Sequence, residues 1–261
     1  MSQAGSSVLS DVVPTRELFG VPIAALSLDQ ALDRVEVAIR QRVRLQIGVV
    51  NAAKIVNMQR DALLRDDVLS SDLILADGAA VVWAARLLGL FLPERVAGID
   101  LMEAILRRGA ARGWRVYCLG ATEDVLARAT ERMRVGHPGV QVVGQQHGYF
   151  AGQHEPDVAR AIAEARPDVL FVAMSSPRKE KFLARWSAQL GVPVCHGVGG
   201  SFDVLAGKVR RAPRLWQRLG LEWLYRVLQE PGRLWKRYLV TNTLFCWLVL
   251  KELLHHARAG R

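Results

Sequence analysis

The sequence is poor in cysteine, and residues that bind metals form no pattern in it. Cys118, Cys195 and Cys246 are far apart in the 261-residue chain and make no CxxC motif, and the six histidines are scattered. This spacing argues against both a disulfide framework and a zinc site. We therefore expect buried, reduced cysteines and a protein that binds neither a metal ion nor another cofactor.

Segments for export and for crossing a membrane are missing as well. Residues 1–13 lack the basic start and the apolar core of a secretory signal, so we interpret them as a flexible leader of a cytoplasmic protein. The apolar stretch at 239–254 is shorter than the about 20 residues of a spanning helix, and Lys251 interrupts it. The chain has neither a Walker A motif nor a GxGxxG motif opening a long helix, so P-loop and nicotinamide-dependent chemistry are not supported.

What the chain does contain is a regular alternation of short apolar runs and helical stretches. Ser27 and Gln30 form a capping-box pattern ahead of an amphipathic helix. Strands that alternate with helices indicate right-handed βαβ crossovers. The sequence therefore predicts an α/β fold, Rossmann-like, with a mainly parallel sheet and helices on both faces, in a domain at 14–206. The predicted strands are 45–50, 72–76, 114–119, 140–144, 168–174 and 192–198, and further helices are predicted at 79–89, 100–113, 123–134 and 177–190.

The C-terminal segment 207–261 has a different composition. It holds twelve Lys or Arg and three Glu, which is +9 of the net charge of +10, and it is rich in tryptophan. Helices that are both basic and apolar bind in the interface of an anionic membrane. We predict that this segment is a helical, membrane-associating appendage. The alternative is that its apolar stripe packs on the main domain.

Two polar residues stand at predicted strand ends, where ligands of open α/β sheets bind, and a third lies in a loop between two predicted helices. Asp77 directly follows a strand, where a carboxylate can act as a general base, but it is also a good N-cap for the helix at 79–89. Asn51 follows another strand. Arg95 lies in a loop and could hold a phosphate or carboxylate with its planar fork, although a solvated surface charge explains it equally well.

Glycines mark two further strand ends. Gly199 and Gly200 follow a buried strand, and such turns bring backbone N–H groups close to phosphate. Asp203 behind them is suited to accept a hydrogen bond from a base or ribose hydroxyl, or to cap a short helix. Gly148 and Tyr149 in the segment HGYF offer a turn and an aromatic platform, but core packing of the aromatic rings is the default interpretation.

A helix start lies beside another strand end. Ser176 is its predicted N-cap and Pro177 its first residue. Lys179 and Glu180 then fall in the first turn, where they could reach a ligand. A helix start alone explains all four residues, so the pattern by itself does not establish a site.

Taken together, these segments resemble the WecG/TagA/CpsF family, glycosyltransferase family 26, over roughly residues 18–245. The motifs that carry the resemblance are VVNAAKIV, LADGAAVVWAARLLG, ERVAGIDL, HGYF and, above all, GVGGSFDVLAGKVRRAP followed by LGLEWLYRVLQEPGRLWKRYL. The resemblance implies an enzyme, an inverting and metal-independent glycosyltransferase. It would move a hexose or N-acetylhexosamine from a UDP-sugar to a polyprenyl-diphosphate-linked sugar, in biosynthesis of a bacterial exopolysaccharide or wall polymer.

The resemblance also implies roles for individual residues. Asp77 matches the general base and Arg95 the active-site arginine. Gly148, Tyr149 and Asp203 match the nucleotide pocket. With the other strand-end residues, the predicted nucleotide-sugar-binding set is Asn51, Gly148, Tyr149, Pro177, Lys179, Glu180, Gly199, Gly200 and Asp203, and the basic tail positions that face the diphosphate are Arg226, Arg233 and Lys236.

Two positions depart from the family pattern. Lys179 stands where many relatives have Gln, and Val49 stands where Thr is common. Both fall close to the expected site and bear on the choice of sugar and acceptor. They resemble a subgroup associated with exopolysaccharide synthesis, in which a glucose donor is plausible.

A nucleic-acid-binding protein is the main alternative outside the enzymes, because a basic tail with interleaved tryptophans can bind a phosphate backbone. The tail is as apolar as it is basic, which favours an anionic membrane surface over nucleic acid. We therefore expect a peripheral protein on the cytoplasmic face of the inner membrane, without a nucleic-acid partner. Assembly into a homo-oligomer is left open.

Overall fold

The structure of the protein, a computed structural model, describes residues 13–259, except the side chains of Arg233 and residues 256–259. The predicted leader at 1–13 lies outside the described residues, apart from Val13. The described chain begins with an antiparallel hairpin of two strands, β1 (Thr15–Leu18) and β2 (Val21–Ala24), which the sequence analysis did not predict. The β1 sequence TREL has one apolar residue and β2 contains Pro22, so neither shows the apolar run by which the other strands were predicted.

A six-stranded sheet forms the centre of the fold. Its order is β4-β3-β8-β7-β5-β6, and all neighbouring strands pair in parallel. Parallel neighbours require crossover connections, which here are mostly helical. The predicted α/β class is confirmed, and each predicted strand is present to within two residues at either end. The strands are β3 (Leu45–Val50), β4 (Leu73–Ala76), β5 (Arg115–Gly120), β6 (Gln141–Gln146), β7 (Val169–Ala173) and β8 (Val194–Gly197).

Helices connect the strands and continue into the C-terminal segment. The capping box at Ser27 and Gln30 is present, with both reciprocal hydrogen bonds. The short helices α2 and α3 and the longer α7 were not predicted. The helices are α1 (Leu28–Gln41), α2 (Ala52–Met58), α3 (Ala62–Leu69), α4 (Ala79–Leu87), α5 (Gly98–Ala110), α6 (Glu123–Gly136), α7 (Glu155–Ala165), α8 (Arg178–Trp186), α9 (Ser201–Leu205), α10 (Arg214–Arg218), α11 (Glu222–Gln229) and α12 (Pro231–Ala259).

The core lies on both faces of the sheet. Successive side chains of a strand point to opposite faces, so Val116 and Cys118 of β5 join a cluster with α1, α5 and α6, whereas Tyr117 and Leu119 join a second cluster with α7 and α8. A third cluster lies around α2, α4 and the hairpin. Cys118 and Cys195 are buried, as predicted, but the expectation for Cys246 is wrong, since it is exposed on α12.

The long helix α12 has one packed side and one exposed side. Phe245 and Val249 are buried against the cluster around α2, and the Phe245 ring meets that of Phe19 edge-on, with centroids 5.8 Å apart. On the other side Trp247 is 60% exposed and Leu250 is 47% exposed. None of the described helices is long and apolar enough to cross a membrane. Packing on the main domain is thus confirmed for one side of α12, and membrane contact stays a prediction for the other.

Candidate active site

The carboxyl ends of β3 and β4 bring two predicted site residues together. The backbone N–H of Asp77, just after β4, donates to the Val50 carbonyl of β3 at 2.8 Å. Asn51 follows Val50 and caps α2, its side chain accepting from the Lys54 N–H at 3.0 Å. A Cβ added to Gly78 would lie 3.8 Å from the Asn51 Cβ. The parallel register therefore places Asn51 directly beside the Asp77–Gly78 turn.

Asp77 is not the helix cap that the alternative interpretation proposed. The N-cap of α4 is Gly78, at φ 125°, and the cap has no side-chain hydrogen bond. Among the described residues none donates a hydrogen bond to the half-buried Asp77 carboxylate. Burial raises the pKa of this carboxyl, and the charge of Arg95 partly opposes that rise. A carboxylate with free oxygens and a raised pKa is suited to accept a proton from a substrate.

Arg95 is half-buried within a cluster of four charged side chains, so the interpretation as a solvated surface charge is wrong. Its guanidinium pairs with Glu222 of α11 and lies 3.3 Å from Oδ2 of Asp100 in α5. Arg211 completes the cluster, with its Nη2 2.6 Å from Oδ1 of Asp100. Because Asp100 belongs to the main domain and Glu222 to the C-terminal segment, the cluster holds that segment against the site.

A second carboxylate near the sheet edge, Glu180, has a very different environment. Its Oε1 accepts from Nζ of Lys54 at 2.8 Å and from Nζ of Lys179 at 2.7 Å. Burial alone would raise the Glu180 pKa, but the two ammonium groups together lower it to about 2. Burial and the charge of Lys179 lower the Lys54 pKa to about 8. Lys179 and Glu180 are thus buried and paired with each other, so their contact with a nucleotide-sugar stays a prediction.

The helix start beside β7 differs in detail from its prediction. The first residue of α8 is Arg178 and its N-cap is Pro177, without a side-chain cap bond, so the assignment of Ser176 as N-cap is wrong. The Ser176–Pro177 peptide bond is cis. Pro177 itself remains at the carboxyl edge of the sheet, directly after the β7 strand and its short connection.

The glycine-rich turn after β8 lies against α11. Gly199 adopts φ 54°, where a side chain would be strained. A Cβ on Gly200 would lie only 2.8 Å from Nη2 of Arg226, whose Nε is buried without a hydrogen-bond partner. Asp203 does not cap α9, whose N-cap is Gly200, and its carboxylate lies 3.5 Å from Nζ of Lys208. Arg226 therefore lies against this turn, which offers backbone N–H groups and a guanidinium to an anion. The role of Arg226 toward a diphosphate stays a prediction.

The HGYF segment separates its two aromatic residues. Gly148 packs closely on the end of β5, since a Cβ there would lie 3.0 Å from the Gly120 Cα. Tyr149 is 73% exposed, so the default of core packing is wrong for it. Phe150 is packed against the core, with the Arg178 guanidinium 4.6 Å from its ring centroid. An exposed ring beside a strand end is available to stack on a ligand.

The two remaining tail positions that were predicted to face the diphosphate are Lys236 and Arg233. Lys236 is exposed on α12, with its Nζ 5.5 Å from the centre of the Trp235 ring. The side chain of Arg233 lies outside the described residues. The roles of both toward a diphosphate stay predictions.

Sequence reasoning missed four residues of the site region. Lys54 follows Asn51 by about one helical turn and lies in the motif VVNAAKIV, but no role was assigned to it. Asp100, Arg211 and Glu222 come from three separate segments, and their pairing with Arg95 depends on how the C-terminal segment docks. The available signal was that all three lie in the motifs ERVAGIDL, GVGGSFDVLAGKVRRAP and LGLEWLYRVLQEPGRLWKRYL, which carry the family resemblance.

The described side chains form a site suited to group transfer. A free carboxylate can serve as a base, and arginines with a glycine-rich turn can stabilise a negatively charged leaving group, which are the parts of a group-transfer enzyme. The model of the Glycosyl transferase WecG/TagA/CpsF family matches residues 16–259. The chain belongs to this family and is a glycosyltransferase.

Two curated relatives carry the name N-acetylglucosaminyldiphosphoundecaprenol N-acetyl-beta-D-mannosaminyltransferase. The protein of Bacillus spizizenii is 41% identical over 170 residues, which is 65% of this chain and 65% of the relative. The chain thus spans a little under two thirds of that protein in the match. The protein of Bacillus subtilis is 34% identical over 239 residues, 91% of this chain and 92% of the relative.

Proposed function

We propose that this protein transfers N-acetylmannosamine from UDP to the sugar of a polyprenyl-diphosphate-linked N-acetylglucosamine, with inversion at the anomeric carbon. The observation that carries the proposal is the Asp77 carboxylate, which lies at the carboxyl edge of the sheet without a hydrogen-bond donor among the described residues. The names of the two Bacillus relatives supply the transferred sugar and the acceptor. A lipid carrier of this kind suits the synthesis of a bacterial wall polymer or surface polysaccharide.

The proposed reaction is a single displacement. Asp77 accepts the proton of the acceptor hydroxyl while that oxygen forms a bond to the anomeric carbon of the donor. The bond from this carbon to the diphosphate oxygen breaks, and UDP departs with the electron pair. Arg226 and the N–H groups of the turn at Gly199 and Gly200 are placed to stabilise the added negative charge of UDP.

UDP leaves with added negative charge. We propose that basic side chains and backbone N–H groups stabilise this charge, so that the transfer needs no metal ion. Arg226 has an unused buried donor beside the glycine turn. Guanidinium and backbone donors would therefore perform the role that a cation has in other transferases.

We also propose a peripheral position on the cytoplasmic face of the membrane. The exposed side of α12 presents Trp235, Leu239 and Trp247. Apolar residues beside basic ones favour the interface of an anionic membrane, where a lipid-linked acceptor lies. The same surface makes nucleic acid a weaker candidate partner.

A donor and acceptor panel tests this function. UDP-N-acetylmannosamine, UDP-N-acetylglucosamine, UDP-glucose and GDP-mannose would each be assayed with a short-chain polyprenyl diphosphate N-acetylglucosamine, with and without EDTA. We expect transfer from UDP-N-acetylmannosamine, unchanged by EDTA. A preference for UDP-glucose would overturn the proposed sugar, and the absence of transfer from every donor would overturn the function.

A further inference from the structure

An open groove runs along one side of the site. It has a volume of about 510 Å³ and lies between α4, the loop at 88–97 and α10. Its described lining includes four arginines, and Trp83 and Pro93 provide apolar walls. Of the residues predicted for the site, Arg95 is among the described lining of this groove.

Three of the four groove arginines have no acidic partner among the described residues. Arg86, Arg214 and Arg218 are exposed, and none of them has an acidic partner within the described part of the chain. The one acid among the described lining residues, Glu94, already accepts from the Leu28 N–H at 2.6 Å. Unpaired guanidinium groups that converge on a groove form a site for an anion with several oxygens, such as a diphosphate.

The groove reaches the proposed general base through Arg95. Arg95 lines the groove, and its charge is the strongest of those acting on the pKa of Asp77. In the proposed acceptor, one sugar ring separates the attacking hydroxyl from the diphosphate. The cations that bind the acceptor diphosphate should therefore be separated from the base by the width of one sugar ring. Arg86, Arg214 and Arg218 line the same groove as Arg95, which meets this requirement.

The groove is separate from the anion site of the donor. Arg226 lies at the glycine turn after β8, whereas the groove adjoins α4, which follows β4. Strand β3 lies between β4 and β8 in the sheet. Two diphosphates, one of the donor and one of the acceptor, would thus have separate sets of arginines on either side of Asp77.

Large exposed apolar side chains belong to the groove lining or are close sequence neighbours of it, and we call them its apolar mouth. Trp83 is 48% exposed, and Leu87 and Phe91 are 65% and 67% exposed. Leu215 and Leu219 of α10 are also exposed. Since Trp83 and Leu87 are one helical turn apart on α4, and Arg86 lies beside them, apolar and cationic groups share one surface. Such a surface fits a lipid with a charged head.

We propose that this groove binds the lipid-linked acceptor, with Arg86, Arg214 and Arg218 holding its diphosphate and the apolar mouth taking the first part of the polyprenyl chain. The inference rests on the proposed function for the identity of the acceptor. It assigns binding roles to residues of α4 and α10, and it extends the lipid-facing surface from the C-terminal segment onto the main domain.

The test compares two variants of equal charge. In the first, Arg86, Arg214 and Arg218 are all changed to Gln. In the control, the exposed residues Arg107, Arg134 and Arg160 on α5, α6 and α7 are changed to Gln. Folding of both is checked by circular dichroism and thermal unfolding, and the single variant Arg218→Gln replaces the triple one if that does not fold.

The first measurement is steady-state kinetics in neutral detergent with the short-chain acceptor. We expect the groove variant to raise the KM for the acceptor by about tenfold or more, because hydrogen bonds to charged groups are lost, and to change the KM for the UDP-sugar by less than about twofold. The control variant should match the wild type. An equal rise in both KM values would place the donor in the groove and overturn the inference.

The second measurement separates the acceptor from membrane lipid and from the proposed reaction. Calorimetry with the acceptor alone should show binding to the wild type that weakens by a similar factor in the groove variant, even if no donor in the panel is used. Flotation with phosphatidylglycerol vesicles tests the lipid headgroup as an alternative ligand. If the groove variant loses vesicle binding but keeps the acceptor KM and affinity, the groove is a headgroup surface and the inference fails.

Discussion

Asp77 and Glu180 are two carboxylates near the same edge of one sheet, and their surroundings give them opposite properties. Asp77 is half-buried, has no hydrogen-bond donor among the described residues, and burial raises its pKa. Glu180 is buried between Lys54 and Lys179, which lower its pKa to about 2. A carboxyl that is easily protonated can exchange a proton with substrate, whereas one held by two ammonium groups stays ionised.

Neither residue type nor position in a motif decides the roles of these two carboxylates. Both carboxylates were predicted site residues, and both lie close to strand ends. Charge partners separate them, because Glu180 neutralises buried lysines and Asp77 remains available. We therefore expect Asp77 to govern turnover and Glu180 to govern stability.

The largest expected effect is that of Asp77→Asn on turnover. Asn cannot accept the proton, so kcat should fall by about 10²- to 10⁴-fold while the variant folds normally. The measurement is initial rate with saturating donor and acceptor, with thermal unfolding as the check on folding. Asp66→Asn on α3, which is exposed, is the matched control and should keep wild-type turnover. Near-normal turnover of Asp77→Asn would mean that the base is another group.

The second effect is that of Glu180→Gln on stability. This variant leaves Lys54 and Lys179 buried without a counter-charge, so the free energy of unfolding should fall by about 3–5 kcal/mol. Lys179→Gln is the control, since Glu180 keeps its bond to Lys54 and one excess positive charge disappears. Urea titration of both variants measures the difference. Equal losses in the two variants would contradict the account of Glu180 as the shared counter-ion.

The ion pairs of Glu180 with Lys54 and Lys179 also predict how the stability of the protein changes at acid pH. The folded-state pKa of Glu180, about 2, lies below its ordinary value of 4.5, so its contribution is present above about pH 4.5 and is lost as the pH falls toward 2. Burial lowers the His196 pKa to about 4, so His196 also destabilises the folded state as the pH falls from 6.5. Because His196 is present in both proteins, the difference between wild type and Glu180→Gln isolates the Glu180 contribution.

The smallest expected effect concerns the pH dependence of activity. The negative charge of Glu222 adds to the effect of burial in raising the Asp77 pKa. Glu222→Gln should lower that pKa and move the acid limb of the kcat/KM profile to lower pH, because one of the charges that disfavour the ionised carboxylate is removed. Glu123→Gln, an exposed change on α6, should leave the profile in place. A shift of the limb to higher pH would show that Asp77 does not control it.

The fold was largely predictable because its signals are local. Each apolar run at 45–50 or 168–174 is bounded by polar residues and breakers, and the capping box at Ser27 marks its own helix. The hairpin was missed because β1 has one apolar residue and β2 contains a proline, and α2 was missed because a helix of seven residues carries too little periodicity. Sheet order was not predicted, because it depends on contacts between distant strands.

The site was predictable only in part, because it also depends on contacts between residues that are distant in the sequence. Asp77 was identified from its strand end, and Arg226 from its tail motif, and the structure places Arg226 against the glycine turn at Gly200. The pairing of Arg95 with Glu222, by contrast, joins residues 127 positions apart. No local pattern predicts such a contact, and none predicts that Lys179 pairs with Glu180.

The anomeric configuration of the product tests the central claim most directly. An α-linked UDP-sugar would be incubated with the short-chain acceptor, and the new glycosidic linkage determined by nuclear magnetic resonance for wild type and for Asp77→Asn after equal times, before the wild type exhausts its substrates. A single displacement with Asp77 as base predicts a β-linked product from the wild type and almost none from the variant. An α-linked product, or equal amounts from both proteins, would contradict the account.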